Sequence, residues 1–175
     1  MPAQARTMMV ATVNANDRPV AKVARRDVLR LGESFRVVHV FIVNQHNELL
    51  LQQISGEHDR HPLWWGASVA GYVAANESYA DAAARKLKSE LGITKRPKPI
   101  GKTQMRDGES LKFITVYALR WDGPISPNPT DFAAIQFCSL KQILSKPDSL
   151  KLRLTPTFKH IAKHLREPLE ELLET

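Results

Sequence analysis

The chain has 175 residues, of which 43% are hydrophobic and 25% charged, with a formal net charge of +7. That length and apolar content suit one globular unit with a substantial core, and the basic balance favours anionic ligands such as nucleotides and diphosphates. The one cysteine, Cys138, excludes an intramolecular disulfide and a thiolate metal cluster, and no apolar run approaches the roughly 20 residues that cross a bilayer.

The predicted elements alternate between strand and helix. Met8 to Val13 and Val20 to Ala24 flank a polar stretch from Asn14 to Pro19 and read as a hairpin, followed by a short helix over Asp27 to Leu31 that Gly32 stops. Val37 to Val43 and Glu48 to Ile54 read as a second hairpin around Asn44 to Asn47, and Ala67 to Val73 as a strand. Ser78 with Asp81 forms a capping box, so a helix is expected to start near Tyr79; Gly92 supplies its left-handed stop. Tyr79, Ala83, Leu87 and Leu91 recur at four-residue spacing as its buried stripe, over about three and a half turns. Strands then follow near Ile100 to Met105, Phe113 to Leu119 and Ala134 to Ser139, with turns at Asp107-Gly108, Asp122-Gly123-Pro124 and Pro127-Asn128-Pro129. Thr155-Pro156 caps a last helix, and Pro168 marks its expected end. The order fits an α/β/α sandwich with a mixed β-sheet, with residues 1–32 as an N-terminal hairpin extension and 155–175 as a C-terminal helix of one 1–175 domain.

The helix after Ser78 carries the chemistry. Residues 86, 89 and 90 stand at i, i+3 and i+4 and so share a face, which reads Lys86, Ser89, Glu90. Gly71, Glu77, Arg85, Leu87, Glu90, Gly92 and Ile93 together keep the spacing of a metal-dependent diphosphate-cleaving signature, and on those residues the chain resembles the Nudix hydrolase family. Two positions depart from it, since Lys86 and Ser89 stand where the family has glutamates. Upstream, Pro62, Trp65, Ser68 and Gly71 at three-residue spacing are similar to the approach found in the branch related to isopentenyl-diphosphate isomerases.

The resemblance implies the same sandwich fold and Mg²⁺ or Mn²⁺ as cofactor. It implies Glu90 as metal ligand and catalytic position, Gly71, Glu77, Arg85 and Gly92 as scaffold of the signature, and Arg36 as a phosphate contact. Hard Mg²⁺ takes oxygen ligands at about 2.1 Å, and several carboxylates offset its charge beside a diphosphate. With one carboxylate left, a neutral hydroxyl and an ammonium, the metal site is expected to be weakened. Lys86 then either pairs with Glu90 on an ordinary helix face, which contributes about 0.3–0.5 kcal/mol, or stands in for the cation and holds a phosphate itself.

Other residues carry weaker signals. His58, Asp59 and His61 form a polar loop without ligand spacing, and His160 with His164, at i and i+4 on the last helix, makes an incomplete metal site and reads as helix surface. Adjacent Trp64 and Trp65 point to opposite faces, one toward the core and one free to stack. Asp107, Glu109 and Asp131 are the downstream acids able to supply a missing carboxylate.

Three functions follow in order. The first is hydrolysis of a nucleoside diphosphate linked to another moiety, impaired or altered by Lys86 and Ser89. The second is non-catalytic binding of a nucleotide or partner, and the third is prenyl-diphosphate isomerisation, which needs a cysteine in a strand where Ser68 to Tyr72 has none. The expected partner is a small-molecule diphosphate, with no specific nucleic acid because basic residues are dispersed rather than striped with aromatics. A cytoplasmic location is expected, and the hairpin edge offers a surface for a homodimer.

Overall fold

The computed structural model describes residues 8–174; the portions of the expected N-terminal extension and C-terminal helix at 1–7 and 175 lie outside them. Nine strands form one mixed sheet: β1 (Met9–Val13), β2 (Pro19–Ala24), β3 (Phe35–Val43), β4 (Glu48–Ile54), β5 (Trp65–Gly66), β6 (Val69–Tyr72), β7 (Lys98–Asp107), β8 (Ser110–Arg120) and β9 (Phe132–Ser139). Four helices cover it: α1 (Tyr79–Leu91), α2 (Leu140–Ser145), α3 (Pro156–His164) and α4 (Arg166–Glu171). None of the described helices is long and apolar enough to cross a membrane.

The central strand β3 organises the layers because it is apolar on both faces. Phe35, Val37, Phe41 and Val43 join a core with Ile143, Phe158, Ile161 and Leu169 of α2 to α4 and with Leu165 between the last two helices. Val38, Val40 and Ile42 face the other way and pack on Ala82, Ala83, Leu87 and Leu91 of α1. A strand buried on both sides reads as a nearly continuous apolar run rather than an alternating one, as Val37 to Val43 does with buried His39 as its one polar interruption. The result is the expected α/β/α sandwich.

Pairing corrects part of the reading from sequence. The second hairpin touches only at Val43 opposite Leu49, because β3 gives one edge to antiparallel β6 and the other to parallel β8, while β4 pairs with β9 and β5. Of the expected strand over Ala67 to Val73 only β6 forms, on β3, while the two-residue β5 precedes that range and pairs with β4. In place of a helix over Asp27 to Leu31 there is a 3₁₀ turn at Arg25–Asp27, and Gly32 closes the following loop at φ 66°. The last helix breaks at Leu165 into α3 and α4, so Pro168 lies in the first turn of α4, where a missing N–H costs nothing.

The first hairpin forms as expected, with β1 and β2 paired antiparallel from Met9 opposite Ala24. It is tied to the body by Thr12 opposite Phe35 and by Ala75 N–H donating to Met9 O at 2.8 Å. That second bond places the hairpin over the loop that enters α1.

Candidate functional site

The site is assembled around the start and the inner face of α1. Ser78 caps the helix, its hydroxyl accepting from Asp81 N–H at 3.1 Å, and Gly92 ends it at φ 70°. Ahead of it, the loop 73–78 is held by Glu77. One Glu77 oxygen accepts from Ala74 N–H at 2.8 Å, and both accept from the Arg85 guanidinium at 2.7 and 3.0 Å. Arg85 also reaches Tyr72 O at 3.2 Å, so strand, loop and helix are clamped together. Burial raises the Glu77 carboxyl, but the Arg85 and Ala74 donors outweigh it and leave it below the usual carboxylate range.

The face one turn further on is closed by an ion pair. The Lys86 ammonium pairs with Glu90 Oε1 across i,i+4, and the Glu90 side chain is only 6% exposed. Its Oε2 is buried with no hydrogen-bond partner among the described residues. Burial pushes the Glu90 carboxyl up to about 7, against the pull of Lys86 and with a further push from the charge of Asp131. Gly71 of β6 makes room for the lysine stem. A methyl group there would stand 2.6 Å from Lys86 Cε and 2.9 Å from Cδ.

Ser89 is exposed, and its hydroxyl donates back to Lys86 O at 3.2 Å. The face thus offers one carboxylate, already paired with a cation and titrating near neutrality. No three His, Cys, Asp or Glu side chains group to hold a metal ion among the described residues. The donors of this face therefore do not fit a magnesium cluster, which needs several ionised oxygens.

The remaining candidates separate. Of the downstream acids, Asp131 is the one whose charge reaches Glu90, and Asn128 N–H donates to Glu90 O at 2.8 Å, seating that loop on the end of α1. Asp107 is committed to Arg60 at 2.7 and 2.8 Å and to Lys112 at 3.1 Å; these partners outweigh burial and hold it at about 2. Glu109 is exposed in the β7–β8 turn. His58 bonds to the Arg60 backbone and lies against Asp59, the His61 ring is tilted against Trp64 at 4.8 Å between centroids, and Arg153 lies 3.9 Å over the Trp64 ring. Trp65 packs against the core beneath α3, as one of the two tryptophans was expected to do. His160 bonds to Thr103 at 3.0 Å and stacks on His164.

Arg36 lies on the α1 side of β3. Val38 pairs opposite Gly71, and Arg36 lies two residues along the same face. Its guanidinium is not free: Nε donates to Asp17 Oδ1 at 2.6 Å, with the ring of Tyr79 5.2 Å away. Asp17 gave no signal in the sequence, since its partners lie 19, 62 and 85 residues away.

The profile of the NUDIX domain matches residues 33–161. The chain belongs to the Nudix family. An uncharacterized Nudix hydrolase of Pseudomonas aeruginosa is 34% identical over 85 residues, 49% of this chain and 50% of that protein, so the match spans half of the relative. Isopentenyl-diphosphate Delta-isomerase 1 of Photorhabdus laumondii is 27% identical over 158 residues, covering 86% of this chain and 90% of the isomerase. Among solved structures, a protein of Deinococcus radiodurans superposes with TM-score 0.77 at 23% identity, over 90% of this chain and 98% of its own. The NUDIX domain of Shewanella oneidensis NrtR, complexed with ADP ribose, gives TM-score 0.60 at 15% identity, over 84% and 99%. These neighbours establish the sandwich as a Nudix fold.

Proposed function

We propose that this Nudix protein binds a nucleoside diphosphate linked to another moiety on the Lys86 face of α1 and hydrolyses it slowly at best, because that face does not fit the Mg²⁺ or Mn²⁺ cluster that the family resemblance implies. The observation that carries the reading is the Lys86–Glu90 pair seated on Gly71. An ammonium fixed beside a carboxyl whose hold on its proton is strengthened by burial attracts phosphate oxygens and repels a divalent cation. Glu90, the catalytic position by family resemblance, accepts a proton near neutral pH instead of serving as a permanently charged ligand. Loss of metal ligands removes several kcal/mol of transition-state stabilisation, about a hundred-fold or more in rate. Asp131, whose charge bears on Glu90, is the candidate for a second carboxylate. The ADP-ribose complex of the Shewanella neighbour supports a nucleotide as ligand.

Non-catalytic binding is the second reading, favoured by the same pair because binding tolerates a cation on the helix face. Isomerase chemistry has less support. Cys138 lies on β9 within the core beneath α2 to α4, on the opposite side of the sheet from Lys86, and Ala70 and its neighbours in β6 supply no thiol.

Turnover of a panel of nucleoside diphosphate conjugates, ADP-ribose included, tests the first reading with Mg²⁺ and Mn²⁺. The native chain is expected to be slow, Glu90→Gln slower still, and the Lys86→Glu, Ser89→Glu double variant faster by about a hundred-fold. Brisk native turnover that Glu90→Gln leaves unchanged would falsify the assignment. Tight metal-free ADP binding with no turnover in either form selects the second reading.

A further inference from the structure

Asp17 sits at the tip of the β1–β2 hairpin, and three donors from three other elements converge on its carboxylate. Arg36 of β3 donates to Oδ1 at 2.6 Å and also reaches the Asp17 carbonyl, Tyr79 Oη at the start of α1 donates to Oδ2 at 2.8 Å, and Lys102 of β7 pairs with Oδ2. The arginine and the lysine both lie against the Tyr79 ring, 5.2 and 4.8 Å from its centre. Two cations and a hydroxyl around one carboxylate leave one positive charge uncompensated in a site whose Arg36 and Asp17 side chains are 17% and 10% exposed and whose Lys102 is 47% exposed. A diphosphate group meets that donor set better than a monoanionic carboxylate, because its two negative charges balance both cations and it has an oxygen for each donor.

The surroundings are open enough for a ligand. A cleft of about 400 Å³ opens beside Asp17, Lys102, Gln104 and Phe113, and another of about 380 Å³ beside Arg36, Glu77 and Lys22. On the sheet, Arg36 is the diagonal neighbour of Gly71, a separation of about 7–8 Å, so this cluster adjoins the seat of Lys86. Asp17 itself is held at φ 57°, a left-handed backbone that a non-glycine residue adopts at some cost.

We propose that Arg36, Lys102 and Tyr79 form a phosphate subsite of the nucleotide cleft, and that Asp17 fills it as an internal competitor that an incoming phosphate displaces. The proposal rests on the reading of the ligand as a nucleoside diphosphate. It makes the hairpin a gate whose tip leaves when ligand binds.

Metal-free calorimetric titration with ADP tests it. Asp17→Asn is expected to bind ADP about tenfold tighter than the native chain, because the competent form no longer has to be released. Arg36→Gln or Lys102→Gln in that background is expected to abolish the gain. A folded Asp17→Asn protein that binds ADP no tighter overturns the proposal. Should that variant not fold, the native chain still decides: ADP is expected to shift the Arg36 Nε–H resonance, and an unmoved resonance at saturating ADP overturns the subsite. Lys86→Ala separates the two readings. If it leaves native ADP affinity intact while Asp17→Asn tightens binding, the α1 face fails and the subsite stands; the reverse pattern sinks the subsite alone.

Discussion

Glu90 makes the behaviour of this site pH-dependent at a single residue. Its carboxyl, raised by burial to about 7, keeps its proton in the folded chain after an unfolded chain has lost it. A raised carboxyl contributes stability that is complete below the unfolded value of 4.5 and disappears as pH rises through about 7. Denaturant unfolding of Glu90→Gln beside the native chain, from pH 5 to 8, is expected to show the variant gaining relative stability by at most about 1.4 kcal/mol per pH unit, levelling above pH 7. A difference that stays flat with pH removes the buried, raised carboxyl from the picture. The pairing of Lys86 with Glu90 was legible because four-residue spacing on a helix is a local geometric fact. The burial of Glu90 was not, since it depends on β6 and on the 123–131 loop laid across the end of the helix. Asp17 was wholly illegible for the same reason: a turn aspartate is unremarkable until β3, α1 and β7 surround it.

At the scale of elements, α1 was readable from end to end because its signals are all local. Ser78 caps it, Gly92 stops it, and the four-residue stripe is the face buried against β3. Ser78→Ala is expected to cost about 1 kcal/mol in thermal or chemical unfolding. Gly92→Ala is expected to cost about as much or more, since alanine must adopt φ 70° and its methyl would stand 3.3 Å from Ser126 Cβ. If Gly92→Ala proves as stable as the native chain, the left-handed stop is not fixed by the fold. Elements whose limits depend on partners were read less well. β4 looked like the hairpin mate of β3, yet both edges of β3 are taken by β6 and β8. The six-residue α2 was missed because so short a run carries less than two turns of periodicity. The proline that was read as a helix end opens α4 instead, a distinction that the break at Leu165 decides and local propensity does not.

Over the whole molecule, three depressed carboxylates tie distant segments together: Asp17 joins the hairpin to β3, α1 and β7, Glu77 joins the entry loop to α1, and Asp107 joins β7 to the 55–64 loop and β8. Each contributes stability that is present above its unfolded pKa and lost as pH falls through its lower folded value, which for Asp107 is about 2. Stability is therefore expected to drop below about pH 4, and Asp107→Asn is expected to flatten that limb while being less stable at pH 7; an unchanged acid limb would show that the Arg60–Asp107–Lys112 network does not couple folding to pH. The sandwich itself was legible because a doubly apolar β3 demands a helix layer on each face, whereas the chemistry turns on two replaced residues and what they now contact. Mn²⁺ titration followed by electron paramagnetic resonance reads that difference most directly. The native chain at neutral pH is expected to leave the free-ion signal nearly intact at millimolar metal, and the Lys86→Glu, Ser89→Glu variant to quench it; a native chain that binds two or more Mn²⁺ tightly, with Glu90→Gln releasing them, would contradict the replacement of a metal site by the Lys86–Glu90 pair.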